Sequence, residues 1–386
     1  MRICILTYRF HSNIGFLLQA YALQKTLLRL GHSVQTAALY DRRLTRFLRL
    51  LIYCKRLLIY LLSGGKNKAL FLYCPTEKEQ AYINRNTHVF IERNLVLTPV
   101  KMYSARELYS LKRYGFDAYI VGSDQVWRRD YARGHVDSFF LNFLPPNDKK
   151  TVRLSYAASF GKDEMDYTER ELKTCRKALK KFRAVSVRET SGVRLCRDYF
   201  ETEATQVLDP TLLLDRQDYL KLLSGKRADT TGKKYGVTYF LDPTPFKRHF
   251  AEIGGGKMNM PIYDFLHIKH IEETGPAEIE DCVFPGVEDF VSLYKDASFV
   301  ISDSFHGIVF AIIFRKPFLA VLNSSRGGGR FDSLLSLFHL ENRLIKEGQE
   351  QIPWELLKEF PADETEAILH TQRMDSITFL ERNCHV

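Results

Sequence analysis

Residues 297–322 leave this chain few folds to choose from. An apolar run, Ala297–Ile301 (ASFVI), gives way to the polar break Ser302-Asp303-Ser304-Phe305-His306-Gly307. A second apolar run, Ile308–Phe314 (IVFAIIF), stops at Arg315-Lys316-Pro317, and a third, Phe318–Leu322 (FLAVL), follows. The outer runs read as buried strands and the middle one as an apolar helix, so the segment is one compact βαβ unit and requires a parallel sheet. His306 then falls in a βα loop, the place where open α/β sheets bind ligands. The helix start beside it offers unpaired N–H groups and a positive dipole end to an anion, and His306 adds a titratable proton. A capping or satisfied interior imidazole is the alternative for a histidine taken alone.

The same alternation runs along the rest of the chain. Arg2–Leu6, Ser33–Leu39, Ala118–Val121, Val152–Ala157, Ala184–Val187 and Gln206–Leu208 read as strands. Helical patterns fill Phe16–Leu30, about 76–93, about 105–113, Met165–Lys181 and Thr190–Tyr199. After a polar, turn-rich stretch within 215–234 the alternation resumes at Tyr235–Leu241 and Ile262–Phe265. The expected fold class is therefore α/β, with two Rossmann-like, doubly wound domains facing a cleft. We place an N-terminal domain at 1–214, a C-terminal domain at 235–363 carrying the His306 loop, and a last helix within 364–386 that packs back on the first domain.

Composition excludes several classes. At 386 residues with 45% hydrophobic and 26% charged residues the chain can bury two cores. No run approaches the ~20 apolar residues of a membrane span. The start, MRICILTYRF, reads as a first strand rather than a signal peptide, which predicts a cytoplasmic protein. Seven irregularly spaced cysteines without a CxxC pair support neither a disulfide framework nor a metal site.

The net charge of +10 points to an anionic partner. Between Asp41 and Lys68 there are eight basic residues (Arg42, Arg43, Arg46, Arg49, Lys55, Arg56, Lys66, Lys68) against one acid, interleaved with leucine, isoleucine and phenylalanine. This basic apolar insertion, at 41–70, has the composition of a segment lying on an anionic membrane surface, at the inner face of the plasma membrane. A helix packing its apolar face on the domain, with its arginines solvated outside, fits the pattern equally. No nucleic-acid-binding signature organises the basic residues, so nucleic acid is not an expected partner.

Four segments in order then carry a resemblance: Asn13-Ile14-Gly15 leading into LLQAYALQKTL, IVGSDQVW at Ile120–Trp127, AVSVRE at Ala184–Glu189 with VLDPTLLL at Val207–Leu214, and SDSFHGIVFAIIFRKPF. Together they resemble the polysaccharide pyruvyl transferase family. The resemblance implies a GT-B-like arrangement and transfer of a pyruvyl (carboxyethylidene) group from phosphoenolpyruvate, a co-substrate with no further cofactor, onto two hydroxyls of a sugar. The sugar would belong to a surface polysaccharide or its lipid-linked precursor, and the product would be a ketal. Many relatives carry arginine two residues before the histidine, where this chain has Ser304. The alternatives are a GT-B glycosyltransferase using a nucleotide sugar and an inactive, membrane-associated component of a glycan assembly complex.

Ketal formation from an enol phosphate needs cations for carboxylate and phosphate, and groups that move protons. His306 is the expected principal proton carrier and Asp124, at the end of a strand, a second acid or base. For the donor we expect Arg188 at the end of AVSV, Ser304, and Arg326 and Arg330, which flank Gly327-Gly328-Gly329 and could replace the missing arginine. A plain surface pairing of Arg188 with Glu189 and a merely mobile glycine loop compete with these roles. For the acceptor we expect Asn13, Gly15, Ser123 and Trp127, although Asn13 and Gly15 serve equally as helix entry and Trp127 as core. Asp303 adjoins His306 in sequence, but neighbouring side chains of an extended loop diverge, so it is not expected to pair with it.

Overall fold

Strands buried on both faces need continuous apolar sequence, and this chain supplies it at Ala118–Val121 (AYIV) and Phe318–Val321 (FLAV), every residue of which is buried. A computed structural model of the protein describes residues 1–41, 45–132, 134–223, 232–266, 268–323 and 327–385. The N-terminal sheet contains β1 (Arg2–Leu6), β2 (Ser33–Thr36), β3 (Ala118–Val121) and β4 (Val152–Ser155), in the order β2-β1-β3-β4. A bridge between Leu154 and Ala184 continues it to the parallel pair β5 (Ser186–Val187) and β6 (Thr205–Gln206). The C-terminal sheet contains β7 (Gly236–Tyr239), β8 (Ile262–Asp264), β9 (Phe299–Ser302), β10 (Phe318–Val321) and β11 (Leu344–Ile345), in the order β11-β10-β9-β7-β8. Among the described residues all strand pairings are parallel.

Both sheets are wound alike. In each the first strand lies between the second and the third, so the chain reverses direction across the sheet at β1/β3 and again at β7/β9. Such switch points open a crevice at the carboxyl ends of the strands. The two domains are Rossmann-like and face one another across a cleft, a GT-B-like arrangement.

Two helices hold the domains together. Ile14–Arg29 is capped by Asn13, whose side chain accepts from the Phe16 N–H at 3.0 Å. It is followed by Gly31 at φ 84°, which turns the chain into β2. Its apolar side chains share one cluster with Phe290 and Tyr294 of the helix Val287–Asp296 and with Phe310 of the helix Phe305–Ile313. The last helix, Ala362–Asn383, bridges both domains: Ser376 Oγ accepts from Leu208 N–H at 3.0 Å, Arg373 Nε donates to the Leu212 carbonyl at 2.8 Å, and Glu366 pairs with Arg315 at 3.1 Å.

Several boundaries differ from expectation. The helical pattern at 105–113 is a 3-10 helix, Ala105–Tyr114, and that at 76–93 is two α-helices, Glu77–Ile83 and Arg85–Asn94. The basic insertion forms one helix, Arg46–Leu62, of which no residue is buried. Its arginines are not simply solvated outside: Arg56 Nη1 donates to the Leu72 carbonyl at 2.6 Å, and the neighbouring Tyr53 hydroxyl accepts from Cys74 N–H at 3.1 Å. The apolar residues Phe47, Leu50, Leu51, Leu57, Leu58, Ile59, Leu61 and Leu62 are exposed. Arg42 and Arg43, and residues 224–231 of the 215–234 boundary stretch, lie outside the described residues.

Candidate functional site

Loops from both switch points converge on one cavity of about 250 Å³. Tyr8, His11 and Asn13 follow β1, Asp124 and Gln125 follow β3, Leu241 follows β7, and Asp303, Ser304, Phe305 and His306 follow β9. Asp41, Tyr131 and Arg330 complete the wall.

His306 lies on the first turn of the helix Phe305–Ile313, whose cap is Ser304: its Oγ accepts from Gly307 N–H at 3.3 Å. Gly307 has no room for a side chain, because a Cβ there would stand 2.3 Å from Ser302 Oγ. The His306 ring is held from two sides. A Cβ on Gly15 would stand 2.2 Å from His306 Nδ1, so the ring rests directly on the first turn of the other domain's helix. On the far side Nε2 lies 3.6 Å from Asp209 Oδ2. Gly15 therefore serves the site by leaving room, and Gly15→Ala is expected to displace His306. The predicted result is a loss of turnover of at least tenfold with little change in melting temperature, read from paired kinetic and thermal measurements.

Asp209 is the hub beneath this ring. Its carboxylate accepts from Thr211 N–H at 3.0 Å, Thr211 Oγ1 at 2.6 Å and Arg188 Nη1 at 2.7 Å. Burial alone would raise its pKa, but His306, Arg188 and Thr211 outweigh burial and hold it ionised, well below the usual carboxylate range. Arg188 is equally committed. It also faces Asp124 at 3.5 Å and Glu189 at 3.8 Å, and its guanidinium stacks 4.4 Å from the Phe305 ring. Burial disfavours its charge, and the three carboxylates more than restore it. Arg188 does not line the main cavity; its edge meets a smaller one of about 70 Å³ on the other side of Phe305 and Arg330. Its guanidinium faces Asp209, Asp124 and Glu189, while its buried Nε has no hydrogen-bond partner among the described residues.

Arg330 is the arginine that does line the main cavity. Burial, and then the neighbouring Arg188, bring its pKa down to about 10, so it remains charged near neutrality. It follows the glycine run, and the anion met by that run is internal: Gly329 N–H donates to Asp163 Oδ2 at 3.2 Å. Arg326 lies outside the described residues.

Asn13, an expected acceptor residue, and Asp124, the expected second acid or base, reach the cavity, whereas Gly15, Ser123 and Trp127 do not line it. Ser123 is fully buried, with Oγ donating to the Ala157 carbonyl at 3.1 Å. Trp127 is also fully buried, its Nε1 donating to the Phe139 carbonyl at 3.0 Å and its ring stacked 4.8 Å from Phe140. Both belong to the core under the site. Asp303 points away from His306: its carboxylate accepts from Leu241 N–H at 2.6 Å, Lys247 Nζ at 2.6 Å and Asn323 Nδ2 at 3.0 Å, which fixes the loop after β7.

Sequence reasoning passed over His11 and Asp209. His11 Nδ1 accepts from Asn13 N–H at 3.0 Å, so its neutral ring carries the proton on Nε2. Burial lowers its pKa against the pull of Asp124 and Asp41, which favours that neutral form. The signal for His11 was its place in the loop that follows a buried strand, β1, as His306 follows β9. Asp209 stood inside a segment already noted, where Asp-Pro-Thr reads as an ordinary turn. Among the described residues no group of three or more His, Cys, Asp or Glu is arranged to hold a metal ion.

A polar cleft between two parallel α/β domains, with a buried His–Asp pair and an arginine at its wall, defines a two-domain α/β protein with Rossmann-like halves. The family model for polysaccharide pyruvyl transferases matches residues 13–325, and the chain belongs to that family. Among solved structures, the chain is similar to a UDP-GlcNAc 2-epimerase from Methanocaldococcus jannaschii in complex with UDP-GlcNAc and UDP. The identity is 11%, over 97% of this chain and 94% of that one, with a TM-score of 0.49. It is also similar to an alpha-glucosyltransferase in complex with UDP, at 11% identity over 99% of this chain and 96% of that one, with a TM-score of 0.44. No match was found among curated protein sequences.

Proposed function

We propose that this protein transfers the pyruvyl group of phosphoenolpyruvate onto two hydroxyls of a sugar in a surface polysaccharide or its lipid-linked precursor. The observation that carries this reading, beside family membership, is His306 fixed between Gly15 and the ionised Asp209 in the wall of a cavity that Arg330 also lines. The balance is simple. The enol methylene gains a proton and becomes methyl, its neighbouring carbon gains two C–O bonds, and the C–O bond to phosphate breaks. Of the two protons lost by the hydroxyls, one is matched by the methyl and one leaves with phosphate.

Each step has a candidate residue. His306, in the cavity wall, moves the proton, and the Asp209 carboxylate 3.6 Å from its Nε2 stabilises the imidazolium that forms. Asp124 or neutral His11 takes or orients an acceptor hydroxyl. Arg330 meets the donor anion, in the role that relatives give the arginine replaced here by Ser304.

Arg330→Gln is expected to weaken phosphoenolpyruvate binding by about 1.5–3 kcal/mol, the worth of a charge-assisted hydrogen bond. Calorimetry of the folded variant reads this directly, and unchanged affinity would remove Arg330 from the donor site. Acceptor-dependent release of inorganic phosphate from phosphoenolpyruvate tests the function itself.

A further inference from the structure

The helix Arg46–Leu62 is built inside out. Its inner face carries the polar anchors Tyr53 and Arg56, while its outer face is aliphatic. At about 100° per residue Phe47, Leu50, Leu51, Leu58, Leu61 and Leu62 form one stripe, and all are exposed, from 47% at Leu51 to 78% at Leu62. Phe71, on the following turn, is 71% exposed. A contiguous apolar stripe facing water marks an interaction surface.

We propose that this stripe docks on an anionic lipid surface. Exposed Arg46 and Lys55 flank the stripe on opposite sides, Lys66 follows, and no acidic residue occurs from Arg46 to Leu72. Aliphatic side chains entering the acyl boundary with cations at headgroup level are what such a helix offers. The same charges argue against a second copy of this chain, since two facing stripes would oppose cation to cation with no acid to pair them. The helix has 17 residues, and among the described residues no helix is long and apolar enough to cross a membrane, so it lies on the surface. Asp41 lines the cavity and Thr45 caps the helix, so the helix cap stands four residues along the chain from the cavity wall. Given the function proposed above, docking would bring the cavity to a sugar carried on lipid; the docking itself does not rest on that function.

Vesicle flotation of the full chain tests this. The protein should float with vesicles containing phosphatidylglycerol, more weakly with phosphatidylcholine alone, and less as salt is raised. The double variant Leu51→Glu/Leu58→Glu should no longer float and should keep the wild-type circular dichroism and melting curve, because both side chains are exposed. Arg46→Gln/Lys55→Gln should weaken partitioning by roughly 10- to 30-fold. Failure of the wild type to float at low salt would overturn the proposal. So would flotation unaffected by the glutamates, or a solution dimer that the glutamates convert to monomer.

Discussion

His306→Ala is expected to lower turnover by about 10²–10⁴-fold, the usual contribution of a positioned acid or base, while the protein stays folded. The ring makes few demands on the fold, since its Nε2 has no hydrogen-bond partner and its other side rests on Gly15. His306→Gln is the companion variant: it keeps bulk and a polar atom but cannot move a proton at neutral pH. Both should lose turnover while phosphoenolpyruvate affinity falls far less. If the glutamine variant retains most of the wild-type rate, His306 is a spacer and the proton carrier lies elsewhere, with His11 next in line.

Asp209→Ala should be the most damaging single change for stability. It removes the strongest partner of Arg188, at 2.7 Å, and leaves a buried guanidinium with only the longer contacts to Asp124 and Glu189. Breaking one partner of a buried pair costs about 3–5 kcal/mol, which urea unfolding should reveal as a lower midpoint. Asp209→Asn separates the structural role from the catalytic one: the amide still accepts from Thr211 but cannot hold His306 as an imidazolium. It should fold and still lose turnover on the scale of His306→Ala. An alanine variant as stable as wild type would mean that Arg188 is held by its other acids and that Asp209 is not the hub.

Local pattern sufficed where one residue type had one use. Largely apolar runs of four or five residues bounded by turns located β1, β3, β9 and β10 to within a residue or two, because a strand covered on both faces has no other way to be written. Asn13 as a cap and His306 at a βα loop followed from the same local logic. What sequence could not settle was direction. Whether Arg188 faces a ligand or three carboxylates depends on Asp124 and Asp209, which come from other strand ends. Whether Trp127 faces a sugar or Phe140 depends on a 3-10 turn at Val136–Phe140. The basic helix is the sharpest instance: its composition is obvious, but which face turns outward was fixed by a carbonyl at Leu72 and an N–H at Cys74 that no helical periodicity encodes.

The central claim is a ketal made from phosphoenolpyruvate, and mass spectrometry of the acceptor tests it most directly. Incubated in D₂O with phosphoenolpyruvate and a panel of sugars, some lipid-linked, the protein should yield a product heavier by one carboxyethylidene group. Its new methyl should carry one solvent deuterium, phosphate should be released in equal amount, and His306→Ala should abolish the product. Consumption of a nucleotide sugar with release of nucleotide, and no use of phosphoenolpyruvate, would contradict the account.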